Sequence, residues 1–184
     1  MTNELINLVQ QFAGKAIVNN PAVPDSKNES VIESVADGIL GGLKNEATSD
    51  GLGKLIGMFS SGSVSAPVSQ SVQTSVVNSI MDKVGIQSAT AKQIASAVVP
   101  LVLNALVKGV KDPNNSSLNG GNILSSLVGN KGNGIDFQAL LDKGLGGSDG
   151  KFDLNDVMGM LGKNSGDNSA GGILGAVEGL FGKK

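Results

Sequence analysis

The residues most suggestive of chemistry lie in the run Asp149-Gly150-Lys151-Phe152-Asp153-Leu154-Asn155-Asp156. An acid before a glycine, an apolar residue two places after it and a closing acid imitate the second half of a calcium-binding loop. In such a loop, carboxylates and a sharp glycine turn wrap the ion. Counting back from Gly150, however, the first and third ligand positions fall on Leu145 and Gly147, so two of the required carboxylates are missing. Asp149, Asp153 and Asp156 are therefore only weak metal candidates. A turn at Asp149-Gly150, followed by Asp153 as a helix cap and Asp156 in the first turn of the helix dipole, accounts for the same residues.

The other acids of this region, Asp136 and Asp142, have no spacing that ties them to a partner carboxylate for hydrolysis. The chain contains no His and no Cys, and all 14 of its basic residues are Lys. Zinc sites built from Cys and His, thiol nucleophiles, Ser-His machinery and an imidazole acid or base are all excluded by that inventory. Neither Gly41-Gly42 nor Gly146-Gly147 is followed by the Lys-Ser/Thr signature of a phosphate loop, so both pairs read as helix terminators and close-contact points. The expectation is a protein without catalytic residues and without a cofactor.

Binding functions are constrained in the same way. A helix-turn-helix over Val76 to Leu106 suggests DNA, but the net charge is -2, and there is no Arg to grip guanine. The second helix would offer only Lys92, Gln93 and Asn104 among apolar residues, which argues against nucleic acid. The run Gly171 to Lys184 has an apolar face and two terminal lysines, suited to a membrane surface or to docking on the protein's own core. No basic residue precedes the apolar residues of Met1 to Gln10, so the chain reads as a mature, cytoplasmic protein. The uncharged stretch Gln93 to Val107 falls short of the roughly 20 residues of a membrane span and reads as a buried helix.

The elements that would position these residues are helices. Leu5, Leu8, Val9, Phe12, Ala13 and Ala16 share one face, and Asn19 to Pro24 breaks the first helix. Ser26 and Glu29 have the spacing of a capping box and predict the start of the second, with Ile32, Val35, Ala36, Ile39, Leu40 and Leu43 as its stripe. A short third helix is predicted over Asp50 to Phe59, with Leu52, Leu55, Ile56 and Phe59 inward. Pro67 opens the next helix and Gly85 caps its end, its stripe being Val68, Val72, Val76, Ile80, Met81 and Val84.

Ser88 caps a helix that is apolar nearly all round, including Ala97, Leu101 and Ala105, so it is expected at the centre of a bundle. Pro100 should kink it near Ala97 or make it restart. Beyond Asp112 the composition shifts, since 17 of the 27 glycines fall between Leu118 and Lys184. Apolar clusters around Leu124, Leu141, Met158 and Leu174 suggest a degenerate repeat of short helices there, with a low-complexity tail as the other reading.

The stretch Ser79-Ile80-Met81-Asp82-Lys83-Val84-Gly85-Ile86-Gln87-Ser88-Ala89-Thr90-Ala91, continued by Val98-Val99-Pro100-Leu101-Val102-Leu103-Asn104-Ala105-Leu106, resembles the bacterial YidB-like family. The resemblance spans about Val76 to Pro113, with Gly85-Ile86 at the family's turn and Pro100-Leu101 at its Pro-hydrophobic run. A shorter likeness covers Asn20 to Pro24 with Lys27 to Glu29. It implies a homeodomain-like helical arrangement and brings with it no activity, ligand or catalytic residue.

Taken together, the residues predict an all-α bundle over 1–111, with amino-terminal helices in 1–60 and a YidB-like pair in 67–111. A Gly-rich carboxyl-terminal appendage of short helices follows over 112–184. The functional expectation is a non-enzymatic module that associates with itself or with another protein. Membrane-surface attachment through 171–184 is the alternative, and weak calcium binding a further one.

Overall fold

The computed structural model describes residues 2–48, 51–112, 119–129 and 137–142. These form α1 (Thr2–Val18), α2 (Asn28–Thr48), α3 (Leu52–Ser61), α4 (Ala66–Val84), α5 (Ser88–Lys111), α6 (Gly120–Val128) and α7 (Phe137–Asp142). The described residues contain no strand, so the described part of the protein is all-α.

In α1 the buried residues are Leu5, Val9, Ala13 and Ile17, a row with a strict spacing of four. Ile17 takes the place expected for Ala16, and Phe12 stands at the flank, 46% exposed. After Val18 the side chain of Asn20 accepts a hydrogen bond from the Ala22 amide at 3.0 Å, a local turn that competes with helix, and Val23 folds back into the core.

The capping box expected from Ser26 and Glu29 does not form. A 3-10 turn, Asp25–Lys27, precedes α2 and has Pro24 as its cap, so Ser26 lies inside the turn and Glu29 in the first turn of α2, both exposed. The spacing matched, but the extra turn moved the helix start past the residue that was to cap it.

The centre of the bundle is α2, not α5 as its hydropathy had suggested. α2 packs against α1, α3, α4 and α6, whereas α5 packs chiefly against α1 and α4. Of the expected apolar stripe α2 buries Ile32, Val35, Ala36, Ile39 and Leu43, with Leu40 only partly covered, and besides these it buries Val31, Ser34, Gly38, Gly42 and Ala47. The last four include the row Ser34, Gly38, Gly42, one small residue per turn, against which α4 lies. A Cβ on Gly38 would come within 2.6 Å of the Val76 Cα, and one on Gly42 within 2.8 Å of the Val72 Cα. The two helices therefore approach at backbone distance, and the pairing of Gly38 with Val76 and of Gly42 with Val72 makes them antiparallel. Gly41-Gly42 accordingly does not terminate a helix: Gly42 is a contact point and Gly41 has open space beside it.

Facing this row, α4 buries Val68, Val72, Val76, Ile80 and Val84, all β-branched and stiff at χ1. Met81, expected in the stripe, is exposed. Gly85 ends α4 in the left-handed conformation at φ 70°, its amide donating to the Met81 carbonyl.

Two lysines join the carboxyl-terminal end of α4 to the chain just before α2 and to the middle of α2. Lys27 Nζ donates to the Val84 carbonyl at 2.9 Å in a partly buried setting, placing a cation on the negative end of α4. Lys83 Nζ lies 2.6 Å from Asp37 Oδ2, with both side chains substantially exposed. Lys27→Met should therefore lower unfolding free energy by about 1–2 kcal/mol, since it strips a charged donor from a carbonyl that α4 cannot satisfy itself. Lys83→Ala should cost no more than about 0.5 kcal/mol, because water screens the pair. Urea denaturation of the two variants side by side checks the order; equal losses would contradict it.

α3 buries Leu52, Leu55, Ile56 and Phe59 as expected, together with Met58, and Gly62 caps it at φ 80°. α5 begins with Gln87 at the cap position, so Ser88 is its first helical residue rather than its cap. It runs through Pro100 as one helix and does not restart there. Proline removes the donor that would pair with the Ser96 carbonyl, and Ser96 is on the exposed side, where water can take that role.

The helical packing continues past Asp112. Asn119 caps α6 by accepting from the Asn122 amide at 2.9 Å. Ile123, Leu124, Leu127, Val128 and Phe137 join the same core as α1 to α5. Gly120 and Gly121 bring α6 close to α7: added Cβ atoms would meet Leu141 Cδ1 at 2.6 Å and the Gln138 amide at 2.9 Å.

Candidate functional site

Asp149, Asp153 and Asp156 lie outside the described residues, as do the run 171–184 and the apolar clusters around Met158 and Leu174. Among the described residues no three acids come together in a way that would hold a metal. Gly85, Pro100, Ser26 and Glu29 are not gathered into one place. Gly85 ends α4, Pro100 sits midway along α5, and the other two flank the start of α2.

One open depression of about 340 Å³ lies between α1 and α2, lined by Gln10, Gly14, Lys15, Val18, Asn19 and Ile32. It offers a cation, two amides and aliphatic groups, and no acid and base placed to move a proton between them. The carboxyl of Glu4, in the first turn of α1, is held below the usual carboxylate range by a hydrogen bond to the chain's amino terminus and by its own backbone amide. It is partly covered and belongs to no metal-holding cluster of acids among the described residues.

The outer face of α5 is chemically more distinctive. The residues of this helix that turn to α1 and α4 are Ala91, Ile94, Ala95, Val98, Val99, Val102, Leu103, Leu106 and Val107, all buried. The opposite side presents Gln93, Ala97, Leu101, Asn104 and Lys108 to water, with Pro100 and Ala105 partly covered. Leu101 is 49% exposed, the largest exposure of any large apolar side chain among the described residues. Between Lys92 and Lys108 no residue is charged, so the solvent side of a surface helix is apolar or small for four turns. The only polar groups along it are the amides of Gln93 and Asn104 and the hydroxyl of Ser96. Asn104 spends one of its two amide N–H donors on its own helix, donating to the Pro100 carbonyl at 2.7 Å.

Neighbouring α1 adds to this side. Gln10, Gly14 and Val18 line the depression beside Ile32 of α2, so by helical spacing Phe12 lies on the other flank of α1, towards α5. α5 is also the one helix among the described residues long and apolar enough to cross a membrane, with mean hydropathy 1.6 over 18 residues. Of that window, 44% is buried within the protein.

Sequence reasoning placed Ala97, Leu101 and Ala105 inside the bundle. The signal for an exposed face was present only as an absence, fifteen residues without a charge, which a buried helix shows equally well. A DNA-reading role for α5 is poorly served by this geometry. Its basic residues stand at its ends, and its inner residues form the core, so no cationic face is turned outward for phosphates.

Compared with protein-family models, with curated protein sequences and with solved structures, the chain matches none.

Proposed function

We propose that this protein is a non-enzymatic helical association module whose working surface is the uncharged outer face of α5 around Leu101. The observation that carries this reading is a half-exposed leucine midway along fifteen residues without a charge, on the solvent side of a helix. A solvated helix face ordinarily carries charges, and an apolar face that lacks them lowers its free energy by being covered. The non-enzymatic part rests on the residue inventory, which holds no His and no Cys. The order helix, glycine turn, proline-containing helix over α4 and α5 is the order on which the YidB-like resemblance rests.

The test compares the full chain with its Leu101→Lys variant. Light scattering over a wide concentration range, together with affinity capture using each as bait, should show an associated species or a captured protein that the variant loses. Leu101 is half in water already, so the variant should unfold within about 1 kcal/mol of the parent. A parent that stays monomeric throughout and captures nothing that depends on Leu101 would sink the proposal.

A further inference from the structure

Two structural needs meet at the start of α6. The cap of that helix requires a side-chain oxygen, and Asn119 supplies it by accepting from the Asn122 amide at 2.9 Å. The next position requires a residue without a side chain, because a Cβ on Gly120 would come within 2.6 Å of Leu141 Cδ1 and 2.7 Å of Val110 Cγ1. Together they place an asparagine directly before a glycine, and among the described residues no other asparagine has that neighbour. From this juxtaposition we infer that Asn119–Gly120 is a site of covalent modification, a spontaneous deamidation that the α6 cap holds shut and that proceeds only when the first turn of α6 opens.

The chemistry needs water and no oxidant. The Gly120 backbone nitrogen attacks Asn119 Cγ, forming a C–N bond as the Cγ–Nδ2 bond breaks, and ammonia leaves with the proton that the nitrogen gives up. A side chain on the following residue crowds this attack, and glycine has none. Water then opens the succinimide ring at one of its two carbonyls. Attack at Cγ leaves an ordinary aspartate. Attack at the main-chain carbon leaves an isoaspartate, with the backbone rerouted through Cβ and Cγ.

The folded geometry keeps the reacting atoms apart. Ring closure needs the Gly120 nitrogen to swing to the same side of the Cα–C bond as Cβ, whereas Asn119 is extended, with φ −78° and ψ 123°. Its side chain is also turned along the helix by the bond to Asn122. Both restraints are released together when the cap opens. α6 has nine residues, too few to persist as a helix by itself in water, so its opening is governed by contacts such as those of the fully buried Leu124.

The two products act oppositely on the fold. Aspartate at this position keeps the capping oxygen and adds a negative charge at the positive end of α6. Isoaspartate lengthens the main chain by a methylene and carries its free carboxylate on Cα, away from the capping position. Gly120 is then displaced from the narrow space beside Val110 and Leu141. The site thus turns time spent with α6 open into an irreversible change in how α6 and α7 are seated, independently of the α5 surface.

The test incubates the full chain in mildly alkaline buffer, folded and in urea above its unfolding transition, beside a synthetic peptide of residues 117–123. Peptide mapping by mass spectrometry reads the exchange of amide for acid at Asn119 and separates its aspartyl and isoaspartyl forms. Asn119 should react at least about tenfold more slowly in the folded chain than in urea or in the peptide, the equivalent of 1.4 kcal/mol of opening free energy. Leu124→Ala, checked by circular dichroism to be folded, should raise the folded-state rate several-fold and leave the rate in urea unchanged. Where that variant does not fold, urea below the transition serves the same purpose on the parent. Asn119→Asp should unfold at no lower temperature than the parent, and material enriched in isoaspartate at a lower one. No reaction at Asn119 in the peptide or in urea overturns the site, and equal rates in the folded chain and the peptide overturn the guard. A folded-state rate that neither Leu124→Ala nor mild urea moves overturns the opening of α6 as the gate.

Discussion

Gly38→Ala destabilises the protein by about 1–3 kcal/mol, whereas Gly41→Ala, three residues further along the same helix, stabilises it by about 0.5–1 kcal/mol. Intrinsic propensity predicts the same gain at both positions, because alanine is the better helix former by close to 1 kcal/mol. Only the surroundings separate them. An added Cβ at Gly41 meets nothing within 4 Å, while at Gly38 it meets the Val76 Cα at 2.6 Å. The obstacle is backbone, which cannot rotate away as a flexible side chain can, so α4 as a whole must move. Val76→Ala would remove the Cγ2 that stands 3.0 Å from the added methyl but not the Cα, so it should not restore Gly38→Ala. Gly42→Ala should behave like Gly38→Ala, because its obstacle is the Val72 Cα at 2.8 Å. The double variant should cost less than the sum, since a displacement of α4 that accommodates one methyl partly accommodates the other. Urea unfolding of these five variants beside the parent measures all of this. Equal effects at Gly38 and Gly41 would show that α2 and α4 are further apart than described.

The same glycines explain why part of the fold was legible in the sequence and part was not. Apolar periodicity located the first five helices and the buried row Val68, Val72, Val76, Ile80, Val84, because spacing in the sequence maps directly onto one face of a helix. Gly85 was legible as a helix end because only a residue tolerant of positive φ suits that cap. Which helix stands at the centre was not legible. Hydropathy favours α5 and penalises α2, whose row Ser34, Gly38, Gly42 counts as polar or helix-breaking. Yet closeness of approach depends on side-chain size, and small residues are what let α2 accept neighbours on most sides.

Leu101 was misplaced for the complementary reason: composition gives the apolar content of a helix, not the number of neighbours available to cover it. Likewise the capping box of Ser26 and Glu29 was a correct spacing overridden by a 3-10 turn. Of the candidate site, the absence of His and Cys was readable directly, whereas the exposed α5 face required knowing where α1 and α4 lie.

Phe137→Ala should lower stability by about 3–5 kcal/mol, a loss expected of a large side chain removed from a tight core. Phe137 is only 1% exposed although it belongs to a helix of six residues in the glycine-rich part of the chain. A helix that short has no stability of its own in water and persists only through its contacts. α7 obtains them from α6 and α3, and α6 in turn from α2, the central helix. The glycines of this region do not merely loosen it: Gly120 and Gly121 stand where any side chain would collide with Leu141, Val110 or the backbone of Gln138. If α6 and α7 share the core of α1 to α5, the variant unfolds in a single transition, with its midpoint lower by roughly 10 °C at about 2–4 °C per kcal/mol. Leu124→Ala, which empties a fully buried position on α6, should do the same. A main transition left in place, with a separate small change at lower temperature, would mean that the bundle ends near Asp112 and that α6 and α7 form an independent unit.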